Sequence, residues 1–129
     1  MAKTLIVEDN PFFRRVLKET LLSRFPKMDI SEAGNAADAL KEVETFTPDV
    51  IFVDIRLPGE NGLELTRKIR SRDPDVPIII LTSYDLPEYR EAAKEYQANH
   101  FLSKGSIHRE NILTLVQTIF LEGNISLDH

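Results

Sequence analysis

Residues 50–62 read VIFVDIRLPGENG, and this stretch decides the fold. Val50 to Val53 run apolar without polar alternation, so the pattern predicts a strand buried on both faces, as in a parallel sheet. That strand delivers Asp54 to its carboxyl end, where the carboxylate is expected to stand open. Leu57-Pro58-Gly59 follows as a tight loop: Pro58 restricts the residue before it, Gly59 permits the turn, and a helix begins near Asn61. In parallel sheets, ligands collect at this end of the strands.

Outward from that stretch, the same grammar repeats. Lys3 to Glu8 contains Leu5-Ile6-Val7 followed by two acids, a second buried strand with charge at its carboxyl end. Asn10-Pro11 then caps and opens a helix with Phe13, Leu17, Thr20 and Leu21 on one stripe, ending near Phe25-Pro26; Phe12 lies off the stripe, as a helix-edge or partner contact. Met28 to Ala33 reads as an edge strand, and Asn35 caps a second helix with Ala36, Ala39, Leu40, Val43 and Phe46 inward, stopped by Pro48. Leu63, Leu65, Thr66 and Ile69 mark a third helix that stops before Asp73-Pro74. Val76 to Leu81 is another buried strand, ending in Thr82-Ser83.

A fourth helix begins at Leu86-Pro87-Glu88 with only Tyr89, Ala92, Ala93 and Tyr96 to bury, a thin stripe that predicts weak packing. Asn99 to Ser103 forms the last strand, with Lys104 at its end. Ser106 is expected to cap a fifth helix with Ile112, Leu115, Val116 and Ile119 inward, broadened by Leu113 and Phe120. The sum is (βα)5, an α/β fold with a doubly wound parallel sheet and helices on both faces.

The chain of 129 residues, 42% hydrophobic and 29% charged, fits one soluble globular domain. No apolar run approaches the ~18 to 20 residues of a membrane span, and Lys3 with the early acids rules out a signal-peptide reading of Thr4 to Val7. Without cysteine there is neither disulfide nor thiolate chemistry, which fits the cytoplasm. A net charge of −5 argues against a broad nucleic-acid face and for protein partners or a bound cation. Arg14, Arg15 and Lys18 make a local basic spot, read as a solvated helix face.

Glu8, Asp9, Asp54, Thr82 and Lys104 all fall at strand carboxyl ends, four strands in all, which a doubly wound sheet gathers in one crevice. Crowded carboxylates repel unless a cation intervenes. Hard oxygen donors without His or Cys suit Mg²⁺, with Mn²⁺ able to substitute. A lysine and a hydroxyl beside such an ion can hold a phosphoryl group, and Asp54 can act as its nucleophile.

This joint pattern resembles the receiver domain of two-component response regulators: Glu8-Asp9, Asp54 with Pro58 and Gly62 at fixed distances, Thr82-Ser83, and Phe101 three residues before Lys104. The resemblance runs from Lys3 to about Leu121. It implies a CheY-like, flavodoxin-like sheet of order 2-1-3-4-5, with a receiver unit over residues 1–122. Residues 123–129 would be a tail leading toward an output domain absent from this chain. In such proteins Asp54 would accept phosphoryl from a histidine kinase or histidine phosphotransfer protein. Asp9, Asp54 and the Arg56 backbone carbonyl would bind Mg²⁺, with Glu8 acting through metal-bound water.

Thr82 and Lys104 would hold the phosphoryl oxygens, aided by backbone N–H groups near Arg56 and Ser83. The Thr82 hydroxyl and the Phe101 ring would move together as a switch, remodelling the surface of the fourth helix, fifth strand and fifth helix. That surface, with Leu113 and Phe120, is also the expected contact with a second copy. Arg56 and Tyr84, two residues past Asp54 and Thr82, would screen the water that removes the phosphoryl group. The chain departs from many receivers in carrying Gly105, not proline, after Lys104, and it resembles receivers that precede helix-turn-helix outputs.

Two other classes compete. A Mg²⁺-dependent phosphohydrolase would use the same nucleophile, but such enzymes usually place an acid two residues on, where this chain has Arg56. A phosphorylation-independent interaction module is the third class; a flavin is disfavoured because Glu8-Asp9-Asn10-Pro11 lacks the donors that cradle a ligand phosphate. A phosphoacceptor switched once per signal, not a turnover enzyme, accounts for the whole pattern.

Overall fold

The computed structural model describes residues 2–127. Its elements alternate as β1 (Lys3–Val7), α1 (Pro11–Arg24), β2 (Asp29–Ala33), α2 (Ala36–Thr45), β3 (Val50–Val53), α3 (Gly62–Arg72), β4 (Ile78–Thr82), α4 (Pro87–Glu95), β5 (His100–Ser103) and α5 (Arg109–Glu122). The five strands form one parallel sheet in the order β2-β1-β3-β4-β5, the expected (βα)5 topology. Winding reverses between β1 and β3, so the loops after these two strands diverge and leave a crevice.

The uninterrupted apolar runs conceal an alternation. Ile6, Phe52, Ile79 and Leu81 point to one face, where Leu17 and Leu21 of α1 and Ile112, Val116 and Phe120 of α5 cover them. Leu5, Val7, Ile51, Val53, Ile78 and Ile80 point to the other, under Ala36 and Ala39 of α2, Leu63, Leu65 and Ile69 of α3, and Ala93 of α4. With helices on both sides, neither residue set can be polar, which erases the period-two signal.

Three helices begin on asparagine: the Asn10 side chain accepts from the N–H groups of Phe12 and Phe13, Asn35 from Asp38, and Asn61 from Glu64. Each such cap is worth about 1 kcal/mol. The expected Ser106 cap is not found. Ser106 and Ile107 instead donate their N–H groups back to the Ser103 carbonyl, closing a turn that delays α5 until His108 stands at its cap position without a side-chain bond.

One further expectation is corrected. Leu113 and Phe120 are 1% and 0% exposed, packed into the core beneath α5, and so cannot meet a second copy; the exposed apolar residue of that helix is Leu121. The basic spot on α1 is largely paired, since Arg14 and Lys18 both bridge to Glu32 of β2. Phe12 stands 65% exposed. Of the C-terminal segment 123–129, Ile125 and Leu127 pack against the core, while Asp128 and His129 lie outside the described residues.

α4 is the most shallowly seated helix: Ala93 is its buried residue, and Tyr89, Ala92 and Tyr96 are only half covered. The thin stripe foreseen from the sequence is therefore real, and an alanine methyl contributes little burial energy. Arg70 of α3 props the far end of α4, donating to the Gln97 carbonyl and to Asn99 Oδ1.

α3 is seated on the carbonyl of Asp54. A Cβ on Gly62 would lie 2.0 Å from that oxygen and 2.8 Å from Val53 Cγ1, a clash no rotamer relieves because one partner is backbone. Gly62→Ala is accordingly expected to destabilise the fold by about 3 kcal/mol, read as a lower urea midpoint in equilibrium unfolding.

Candidate functional site

The loops after β1, β3, β4 and β5 enclose a cleft of about 490 Å³ at the carboxyl edge of the sheet. Glu8, Asp9, Asp54, Arg56, Tyr84 and Lys104 all line it, together with Asn10 and Ser83. Parallel pairing brings the first three together: the N–H of Glu8 donates to Ala33 O and that of Asp54 to Val7 O, extending each ladder one residue past its strand. The carboxylates of Glu8, Asp9 and Asp54 each offer an oxygen within 4.8 Å of the others.

Asp54 does not stand open, as its position at a strand end suggested. It is 6% exposed because Lys104 leans over it, with Nζ 3.0 Å from Asp54 Oδ2 and 2.5 Å from Glu8 Oε1. Glu8 Oε2 accepts the Asn10 N–H at 3.0 Å. Asp54 Oδ1 is buried with no hydrogen-bond partner among the described residues. An orphaned carboxylate oxygen flanked by two more acids is the donor set of a hard divalent cation.

The charges answer to this geometry. Burial pushes the Glu8 carboxyl above its ordinary value of 4.5, assisted by the Asp54 charge and opposed by the bonds from Lys104 and Asn10. Burial works against the Lys104 ammonium, yet its bonds to Glu8 and Asp54 prevail and raise its pKa. The lysine thus stands in for part of the positive charge that three acids require.

Around this centre the remaining residues divide. Arg56 and Tyr84, from the loops after β3 and β4, both line the cleft and stack on each other, the guanidinium carbon 4.7 Å from the ring centroid. Thr82 is fully buried behind the cleft, its hydroxyl accepting the Tyr84 N–H at 3.3 Å. Phe101 lies apart, half-buried on the α4 side, with Arg90 stacked 4.7 Å over its ring and Asp85 holding that guanidinium. Three participants escaped sequence reading: Asn10, read only as a cap; Arg14, which donates to the Glu8 carbonyl at 2.6 Å; and Phe13, whose ring lies under Lys104. Their only local signal was helical position next to the acidic pair.

Residues 4–117 match the family described as the response regulator receiver domain. The chain is 44% identical over 89 residues to the DNA-binding transcriptional activator DevR/DosR of Mycobacterium tuberculosis, covering 68% of this chain and 41% of that protein. It is similar to a two-component response regulator of the LuxR family from Aurantimonas, with TM-score 0.84, 28% identity, and 95% and 86% of the two chains covered. A receiver domain protein from Methanospirillum hungatei shares the fold at TM-score 0.86 and 23% identity, with 95% of each chain covered. The chain spans 41%, 38% and 52% of the lengths of three curated relatives it matches.

Lys104→Met leaves two buried carboxylates without their cation and is expected to cost about 2 kcal/mol at neutral pH, most of it recovered by adding Glu8→Gln. The pH dependence follows from the shifts. Lys104 is more readily protonated folded than unfolded, so its contribution is fully present below its unfolded value near 10.5 and lost as pH rises through the folded one. The cost of the Glu8 anion is absent below 4.5 and grows as pH rises through its higher folded value. The deficit of Lys104→Met should therefore narrow as pH falls from 7 toward 4.5, measured by urea unfolding at each pH.

Proposed function

Because the chain belongs to the response regulator receiver domain family, we propose that it is a phospho-accepting signalling module in which Asp54 receives a phosphoryl group from a histidine kinase or histidine phosphotransfer protein. The observation that carries this reading is the Asp54 carboxylate itself: one oxygen held by Lys104, the other buried and unpartnered beside Glu8 and Asp9. That donor set fits Mg²⁺, or Mn²⁺ in its place, held by Asp9, Asp54 and the Arg56 carbonyl with Glu8 behind them. When bound, the ion neutralises the crowded acids and the charge on the incoming phosphoryl oxygens.

In the transfer, a carboxylate oxygen of Asp54 bonds to phosphorus as the bond to the donor's leaving atom breaks. The leaving group keeps that electron pair, and Asp54 becomes an acyl phosphate. Lys104 exchanges its bond to Asp54 for one to a phosphoryl oxygen. Thr82 gives up the Tyr84 N–H to reach another, and the Phe101 ring turns inward, releasing Arg90. The shallow seating of α4 lets this displacement spread across α4, β5 and α5, the surface proposed to meet an output or a second copy. The unit comprises residues 1–122 with 123–129 as its tail, acts in the cytoplasm, and switches once per signal rather than turning over substrate. Among the described residues no helix is long and apolar enough to cross a membrane.

Incubation with Mg²⁺ and acetyl phosphate should add one phosphoryl mass, about 80 Da, that is labile to hydroxylamine and absent in Asp54→Asn. Steady release of phosphate without an accumulating adduct would instead make the protein a hydrolase. Arg56 and Tyr84 stack on each other in the wall of the cleft that holds Asp54 and are proposed to screen water from it, so Arg56→Ser and Tyr84→Ala should each shorten the adduct's half-life by roughly three- to tenfold, a change of about 1 kcal/mol in barrier. Following the decay of the adduct mass after donor removal measures it.

A further inference from the structure

Phe13 sits in the first turn of α1, three residues beyond the capping Asn10, and its ring centroid lies 4.0 Å from Lys104 Nζ. An ammonium has three N–H donors, and Glu8 and Asp54 engage two of them. The ring approaches the same nitrogen from the α1 side, within the distance at which a cation is attracted to an aromatic face. Phe13, Val16, Leu17, Ile107 and Ile112 line a mostly apolar groove of about 160 Å³, and Lys104 borders both that groove and the acidic cleft. Behind the lysine the backbone is pinned: the Lys104 N–H donates to the Thr82 carbonyl, and those of Ser106 and Ile107 donate to the Ser103 carbonyl.

These facts set a positional problem and its solution. A flexible side chain on this pinned backbone must release Asp54 and meet a phosphoryl oxygen without swinging out to water. Its two carboxylate contacts belong to the group that reacts and to a neighbour in the same acidic cluster. The ring contact belongs to α1 and is indifferent to what Asp54 carries. We infer that Phe13 is a positioning residue for phosphoryl transfer, its π face seating the Lys104 ammonium through the exchange of partners. The inference rests on the phosphoacceptor reading above and adds to it a residue outside the acidic cluster, the hydroxyl and the lysine.

The test compares the full chain with Phe13→Leu, Phe13→Tyr and Phe13→Trp for the rate of mass gain from acetyl phosphate, with Mg²⁺ affinity followed by calorimetry. Phe13→Leu keeps an apolar filler but removes the ring; it should slow the transfer by roughly three- to tenfold with Mg²⁺ affinity unchanged, while Tyr and Trp preserve the rate. Phenylalanines bearing one, two and three ring fluorines at position 13 keep the packing and weaken the π face stepwise, so the rate should fall stepwise too. A Phe13→Leu protein as fast as the parent, or fluorinated rings that all act alike, overturns the inference. If the parent gains no phosphoryl mass, the phosphoacceptor reading fails and the role in transfer with it. The seat itself is then judged by NMR: Lys104 ε-protons displaced upfield by the ring, and returning in Phe13→Leu, uphold it, and undisplaced protons refute it.

Discussion

One ammonium group answers the two buried carboxylates of this fold. Lys104 arrives from the edge strand β5 and inserts its charge between Glu8, after β1, and Asp54, after β3, two acids that the sheet has drawn out of water. Without that charge the parallel pairing that builds the core would press carboxylates together at its rim. One lysine leaves an oxygen of Asp54 unanswered, and an unanswered buried oxygen is a standing demand for a second cation.

The sequence made the sheet legible for a physical reason. A strand covered by helices on both faces has no use for polar residues, so Leu5-Ile6-Val7, Val50 to Val53 and Ile78 to Leu81 announce themselves as apolar runs, and the next residue is by necessity at an edge. Helix starts were legible where one side chain does the capping, as at Asn10, Asn35 and Asn61. Ser106 misled because the turn closed on Ser103 decides where α5 begins, and backbone turns leave little trace in residue type. Leu113 and Phe120 misled for a related reason: a broad apolar stripe looks the same whether it faces a core or a partner.

What could not be read were the partnerships across the chain. Glu8, Asp9, Asp54 and Lys104 converge because each sits at a strand end, a rule that sequence position conveys. That Asp54 lies covered, that Phe13 meets Lys104 and that Arg90 covers Phe101 depends on the side-chain reach of residues far apart in the chain. An aromatic in an amphipathic helix reads as core filler; only the packed structure reveals which atom its face meets. Thr82 shows the same limit, at the expected end of β4 yet turned to its own loop.

The sheet also acts as a partition. Side chains on its two faces feed separate apolar clusters, α1 and α5 on one side, α2, α3 and α4 on the other, with backbone hydrogen bonds forming the wall between. Mutations on opposite sides should behave as strangers, each half free to drift in sequence at its own pace. The rim, where strands give way to loops, touches both compartments. A partitioned molecule with one doorway can have most of its interior rewritten by evolution while the doorway keeps its chemistry.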